Sequence, residues 1–473
     1  MNRYLNLSKL ITFNSVLLVR DAQGRPKEVP FGTATRLLLT SQTTRRAERT
    51  HLREQASLGE GPLASHSFGQ RTREWSRATA ERLAGQYSWP PQEAADTARG
   101  ALRALNIKFG TTPATADLTK VMIFAPEGAD ERLAQALDAH RTELGTWLQE
   151  AERVRSAQEK AKRNKRKKTD PNAEAETDAE EDDEQAKTPP LPKGLREQLL
   201  TALAPADAID IALFGRFLAE IADSPNVDGA LQTMGAISVG PAAVADDFFC
   251  AADDRKIARQ ARPSAAVLPP TLDALSALDH VAPFPADAQG AGMTGYQSLV
   301  SGTFYAHTVL DRYQLRQNLR RSGMDTEAAE AAAVAAEQAY LEAFCLAVPA
   351  AKKTSTAAPG TLPKLVLAFS SNRPHNYAAC FEDAIHEQHA RPASLQATDR
   401  LLDHHQLITR KFGLEPGTVL TYDLAITALL DERRTTGQLA CREVDQPDQL
   451  TSPAPAHLPQ AASPADERSG QPA

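Results

Sequence analysis

One stretch of this sequence cannot join any hydrophobic core, and it limits how the rest can be assembled. Lys and Arg dominate Lys160–Lys168, an acidic block follows from Asp170 to Glu184, and Pro189-Pro190-Leu191-Pro192 closes the segment. Such a composition buries too little apolar surface to offset chain entropy, so roughly residues 161–193 read as a disordered, charged insertion. Its basic run could touch nucleic acid, although charge runs are usually only solvated. A fold must therefore be built from segments on either side of it.

Those segments alternate between two periodicities. Tyr4–Ile11 reads as a strand followed by a loop to Lys27, and Thr35–Leu39 as a second short strand. From Ser41 to about Leu58 the pattern turns helical, with Ser41 as the N-cap. Residues 60–160 read as mostly helical, with one strand-like run, Val121-Met122-Ile123-Phe124, and a long helix from Glu127 to about Lys160. Asp207–Phe214 is apolar and strand-like, residues 255–290 form an Ala/Pro/Asp-rich excursion, and Gln297–Leu310 is another strand ending near a helix at about Gln314. An Ala-rich helix over Asp325–Ala347, a strand over Lys364–Phe369, helices through 376–435 and a disordered tail after Asp445 complete the chain. Strands separated by helices and long excursions imply an α+β core interrupted by insertions.

Charge and cysteine content narrow the function classes. The net charge of −7 argues against a nucleic-acid binder, but residues 1–60 carry ten bases against five acids, while much of the negative charge lies in the insertion. Phosphates respond to the local field, not to the chain total. The four cysteines form no CxxC pair, which fits a reducing cytoplasm and argues against zinc or a disulfide framework. No apolar run approaches the ~18 residues of a membrane helix, so no membrane partner is expected.

Four constellations could carry chemistry. In a helix over 41–53, Gln42, Arg45 and Arg49 share one face, and Ser41 and Gln42 sit at an N-terminus whose free N–H groups attract anions. Two guanidiniums there could fork onto neighbouring phosphates; an exposed basic helix making local ion pairs is the equal alternative. Gly215-Arg216-Phe217, after the apolar run, could hold a phosphate and stack a base, or be a turn arginine beside a core aromatic. Gly290-Ala291-Gly292-Met293-Thr294-Gly295 is formally GxGxxG, but a Pro-rich loop precedes it and a strand follows, the reverse of a dinucleotide site. Asp403-His404-His405 cannot converge on one metal, because successive helical residues point in different directions. No nucleophile elbow, P-loop or HExxH occurs, so neither catalysis nor a cofactor is expected.

Several segments, in order, resemble the CasC family, the backbone subunit of CRISPR type I-E Cascade complexes in the RAMP superfamily. They are Arg20-Asp21 with Pro26-Lys27; Phe31-Gly32; Ser41-Gln42-Thr43-x-Arg45-Arg46-Ala47-x-Arg49; Asp210–Phe217; Asp228-Gly229-Ala230; Ala291–Gly295 through Ser301–Tyr305; and Ala351–Ala358. The pattern departs from the family at Thr33, Thr35, Leu38, Met234-Gly235 and Ala306-His307. The resemblance implies an α+β, RRM-like (ferredoxin-like) palm over 1–59, 205–235 and 295–380. It also implies helical fingers over 60–204, a thumb loop over 236–294, a C-terminal helical segment over 381–444 and a tail over 445–473. It implies a non-catalytic protein that polymerises along a crRNA guide with other copies of itself and other Cascade subunits, presenting the guide to target DNA. Cleavage of that DNA is left to a recruited helicase-nuclease. Carried over by position, Arg20, Lys27, Ser41, Gln42, Arg45 and Arg49 match the guide-backbone grip. Phe217 stands near the kinked nucleotide, and Lys352 is a further phosphate contact. The usual RRM aromatic signature is absent, so base stacking on the sheet is not expected. An RNA endonuclease of a type III-like complex stays open through Asp246, Asp247, Asp253 and Asp254, whereas an unrelated cytosolic metabolic enzyme is disfavoured, because no cofactor or nucleophile motif appears in a suitable context.

Overall fold

The computed structural model describes residues 2–166, 189–206, 208–217, 226–255, 291–389 and 391–450. The opening alternation becomes one long strand, β1 (Tyr4–Val16), and a hairpin of β2 (Glu28–Phe31) and β3 (Ala34–Leu39) leads into α1 (Ser41–Ser57). Gly32 turns that hairpin at φ +59°, where an added Cβ would meet the Glu382 carbonyl at 1.7 Å, so only glycine fits. The chain then passes through β4 (Gly69–Thr72), α2 (Trp75–Gln86), α3 (Pro91–Ala104), β5 (Ile123–Pro126), α4 (Ala129–Ala139), α5 (Arg141–Arg166), α6 (Leu195–Ala202) and α7 (Ile209–Phe214). It returns as β6 (Leu231–Thr233), β7 (Ala236–Ser238), β8 (Val244–Ala252) and β9 (Ala291–Asp311). There follow α8 (Arg312–Arg321), α9 (Thr326–Leu346), the single turn α10 (Lys353–Thr356), β10 (Pro363–Ser371), α11 (Ala393–Phe412), β11 (Thr418–Leu420), α12 (Leu424–Thr435) and β12 (Arg442–Glu443).

The main sheet runs β12-β11-β10-β1-β9-β7-β3-β2, with β6 and β8 also paired to β9. β1 lies at its centre, antiparallel to both neighbours, with Leu7 opposite Ala368 on β10 and Thr308 on β9. Both faces are covered. On one, Leu5, Leu7, Leu310, Val366 and Ala368 pack against Leu52 of α1 and the alanine-rich face of α9, whose small side chains let the helix approach closely. On the other, Leu10, Tyr305, Leu365, Leu367 and Phe369 meet Tyr377, Phe381, Leu401 of α11 and Ile426 of α12. A second, separate core (Trp75, Trp89, Leu102, Leu133, Leu144 and Leu199 among others) belongs to the helical module inserted between α1 and α7. There β4 and β5 form their own two-stranded sheet.

Several expectations need correction. Asp207–Phe214 is not a strand: Ile209–Phe214 is the short helix α7, ended by Gly215 at φ +78°, and Asp207 lies outside the described residues. A short run that is apolar all round fits a buried helix as well as a strand. The long helix expected over Glu127–Lys160 is two, broken at His140, the C-cap of α4. The strand expected from Val121 starts at Ile123 and runs through Pro126, tolerated in a two-stranded sheet made only of edges. Thr40, with extended φ and ψ, takes the N-cap position given to Ser41. The region expected to be helical through 376–435 contains β11, and the tail is ordered through Leu450, which is buried. The insertion expected to be disordered over 161–193 is narrower: 161–166 end α5 and Leu191 packs on the module core, while 167–188 lie outside the described part, as do 256–290 of the excursion and 451–473 of the tail. Pro189 is tied to the helical module, its carbonyl accepting from Trp147 Nε1 at 3.0 Å.

Candidate nucleic-acid interface

Helix α1 has an underside fixed to the sheet core and a flank that is not. Thr44, Glu48 and Leu52 form its buried stripe at i, i+4 spacing. Glu48 is enclosed beside Tyr340, whose hydroxyl donates to it at 3.1 Å, and burial pushes its carboxyl up to about 7. The neighbouring Lys9 ammonium donates to the Phe344 carbonyl at 2.5 Å. With that stripe turned inward, Gln42, Arg45 and Arg49 lie together on the adjoining flank, and Gln42 and Arg46 are exposed.

Arg45 and Arg49 are partly engaged already. Arg45 Nη2 donates to the Phe214 carbonyl at the end of α7, with the guanidinium 5.6 Å from the Phe214 ring centre. Arg49 lies 4.9 Å from the ring centre of Phe124 and 3.9 Å from the Asp210 carboxylate, beyond hydrogen-bond reach. Its Nη1 is buried without a hydrogen-bond partner among the described residues. Asp210 accepts instead from the Gly69 amide at 2.6 Å, and burial pushes its carboxyl up to about 6. Arg53, one turn further along α1, donates to the Gly69 carbonyl at 2.9 Å and pairs with Glu127.

The other expected positions fall into groups. Arg20 is exposed where β1 gives way to its loop, bridged to Pro26, and Asp21 Oδ1 holds that loop by accepting the Gln23 and Arg25 amides at 2.9 Å. Lys27 is half-buried, and its carbonyl accepts from Leu38 at 2.8 Å, two residues before Thr40. That contact puts the loop base near the start of α1, where Ser41 is half-buried. Lys352 stands apart: exposed in a left-handed backbone conformation (φ +56°), it donates to Gln297 of β9 at 2.7 Å.

Gly215-Arg216-Phe217 is split. The turn at Gly215 sends Arg216 inward, where its Nη1 donates to the carbonyls of Phe124 at 3.2 Å and Leu203 at 2.5 Å and burial lowers its pKa to about 10. Arg216 thus fastens the helical module to the main sheet's surroundings and is not placed to hold a phosphate. Phe217 is 77% exposed, and three residues of chain, about 11 Å at full extension, separate it from Phe214 and hence from Arg45.

The remaining motifs have structural explanations. Residues 291–295 lie within β9, with Gly290 outside the described part. His405 is buried, 3.0 Å from the Tyr377 hydroxyl and 2.7 Å from the Pro416 carbonyl, while Asp403 pairs with Arg433 at 2.5 Å. Every residue of β8 is exposed, and it pairs antiparallel with the first half of β9, where Phe248 and Tyr296 meet at 5.2 Å.

Sequence reasoning missed Arg71 on β4. Its guanidinium lies 5.2 Å from the ring centre of the same Phe124 that Arg49 approaches. The only local signal was the basic pair Arg71 and Arg73 around Thr72.

A family model described as CT1975-like protein matches residues 5–272 and 268–443. No curated protein matches the sequence. The fold is similar to a chain of a solved structure described as a CRISPR RNA-guided surveillance complex, pre-nicking, at 23% identity and a TM-score of 0.66, covering 94% of this chain and 98% of that one. A chain of another CRISPR RNA-guided surveillance complex is similar at 19% identity and a TM-score of 0.58, covering 94% and 97%. With the family model spanning nearly the whole described chain, the protein belongs to the CT1975-like family.

Proposed function

We propose that this chain is a guide-RNA-gripping backbone subunit of a CRISPR surveillance complex of the type I-E Cascade kind. The observation that carries this reading is the partly exposed flank of α1, where Gln42, Arg45 and Arg49 lie together, with the exposed Phe217 three residues of chain from Arg45's partner Phe214, in a chain of the CT1975-like family. Arg20, Lys27 and Ser41 extend the grip toward the β1 end, and Lys352 is a separate contact. Binding through phosphates accepts any guide sequence. The strand order β10-β1-β9-β6, with α1 after β1 and α9 after β9, supports an RRM-like palm, since β-α-β-β-α-β is the ferredoxin-like succession. The second hydrophobic core supports reading the inserted module as fingers, and the exposed β8–β9 pair supports a thumb. Because α11 and α12 cover one sheet face and α1 and α9 the other, RNA is held at the flank of α1 and not across an open sheet. Further copies along the guide, other Cascade subunits and paired target DNA complete the assembly, which works in the cytoplasm. Among the described residues no helix is long and apolar enough to cross a membrane.

The subunit itself does no chemistry in this reading. Asp246 and Asp247 are consecutive on β8, so their side chains leave opposite faces and cannot converge on one ion, and Asp246 accepts from the Ser298 hydroxyl at 2.7 Å. Metal-dependent cutting of complementary RNA, lost on substituting these acids, would favour the nuclease alternative.

The test is guide-RNA binding over a salt titration, comparing wild type with Arg45→Ala/Arg49→Ala. The double variant is expected to bind more weakly, with a log–log salt slope smaller by about 0.7 per lost contact on a single strand. Absence of RNA binding even with partner subunits present overturns the reading.

A further inference from the structure

Arg49 and Arg71 come from different modules, one on α1 beside the main sheet and one on β4 of the inserted helical module, yet they approach a single aromatic ring. Phe124 is buried, and its position is built in. A Cβ at Gly69 would lie 2.4 Å from the ring and 3.0 Å from Ile211, so the β4 backbone must be bare there for the ring to enter. Phe124, Ala208 and Ile211 make a small core of their own at this seam.

Positive charge at the seam exceeds what the neighbouring acids can neutralise. Glu127 is taken by Arg53. Asp210 is 3.9 Å from Arg49, beyond hydrogen-bond reach, and accepts its close hydrogen bond from the Gly69 amide instead. Among the described residues neither Arg46 nor Arg71 has a carboxylate within ion-pair distance, and Arg46, Arg53 and Arg71 all act unfavourably on the Arg49 cation. Four guanidiniums with so little counter-charge, one with a buried Nη1 lacking an acceptor, form a seat for an anion with several acceptor oxygens. A planar guanidinium fork suits a phosphodiester better than a point charge does.

We infer that the seam between α1 and β4 is a phosphate seat, in which Arg71 of the inserted module and Arg49 of α1 together hold the backbone of the bound RNA. This rests on the guide-RNA reading above and extends it: the strand contacts both modules and ties their two cores together. Arg71 is then a binding residue, and the inserted module is part of the grip.

The experiment uses the full-length chain with labelled guide RNA, and partner subunits where binding requires them. It compares wild type, Arg71→Gln and Arg71→Lys. For Arg71→Gln the expected result is weaker binding with a salt slope reduced by about 0.7, an unchanged melting temperature without RNA, and loss of RNA-induced hydrogen-exchange protection at Gly69–Thr72. Arg71→Lys should restore the slope while recovering only part of the affinity, because it keeps the charge without the fork. An unchanged slope in Arg71→Gln, while Arg45→Ala/Arg49→Ala lowers it, overturns the phosphate seat and leaves the guide-RNA reading standing. So does a fall in melting temperature with no change in slope, which assigns Arg71 to covering Phe124. Wild type that binds no RNA overturns both.

Discussion

Two joints in this molecule are built around an inward-facing arginine, and they differ in what the guanidinium finds there. At the first, Arg36 of β3 is fully buried, and its two terminal nitrogens donate to the carbonyls of Ser238, Val239, Phe381 and Glu382 at 3.2, 2.6, 2.9 and 3.2 Å. At the second, Arg49 of α1 has an aromatic ring, a distant carboxylate and a terminal nitrogen with no acceptor among the described residues. Both cations are disfavoured chiefly by burial. The first joint gives both terminal nitrogens backbone oxygens and leaves only Nε without an acceptor among the described residues, whereas the second leaves a terminal nitrogen without one. Buried polar groups are almost always satisfied. The difference is that the fold occupies both terminal nitrogens of Arg36 and leaves Nη1 of Arg49 unoccupied among the described residues, although both belong to the same basic N-terminal region.

Arg36→Ala strips four carbonyls of their donor, and a loss of roughly 3–5 kcal/mol of stability, read by denaturant unfolding, is expected. A loss below about 1 kcal/mol would mean that water replaces the guanidinium and that the joint is not closed. Gly69→Val tests whether the Phe124 seat is as fixed as its geometry requires. Overpacking against the ring should cost about 1–3 kcal/mol and weaken RNA binding in parallel, whereas tolerance of valine would show that the ring can move aside. The smallest expected effect is a pH response to which the seam contributes through Asp210. Asp210 has its folded pKa raised to about 6, so it gains a proton as pH falls through 6, removing the one negative charge facing Arg49. RNA affinity should rise severalfold between pH 7.5 and 5.5, and Asp210→Asn should show a smaller rise over the same range, the remainder coming from Glu48, whose carboxyl beneath Arg45 is pushed up to about 7. The raised carboxyl also means that its contribution to stability is full below its unfolded pKa and is lost as pH rises through about 6.

What the sequence made legible was local. The alternation of Tyr4–Ile11, the 3.6-residue pattern of α1 and the alanine run of α9 each carry their element type in a single window, and the structure agrees with all three. The shared flank of Gln42, Arg45 and Arg49 follows from helical spacing alone. α7 was misread because Ile209–Leu213 is apolar on every side, a pattern that does not distinguish a buried helix from a buried strand. Arg216 and Phe217 looked like one unit, but Arg216 is extended in a bridge with Val227, where successive side chains leave opposite faces. Arg71 was invisible for another reason. Its partners are a residue on α1 and a ring on β5, and no periodicity links positions so far apart in the chain.

The pairing of β1 sets the order in which the molecule can be made. Its neighbours β9 and β10 lie about three hundred residues downstream, with Tyr4 opposite both Asp311 and Ser371. At roughly 5–20 residues per second, a ribosome takes about 15–75 seconds to supply them. Over that interval the first strand emerges with both edges unpaired and a strongly apolar sequence. The inserted helical module, whose core lies between Trp75 and Leu203, has all its contacts available much earlier. Synthesis therefore delivers a finished inserted module before the sheet that carries it can close. The nascent β1 is the segment most in need of a chaperone's protection.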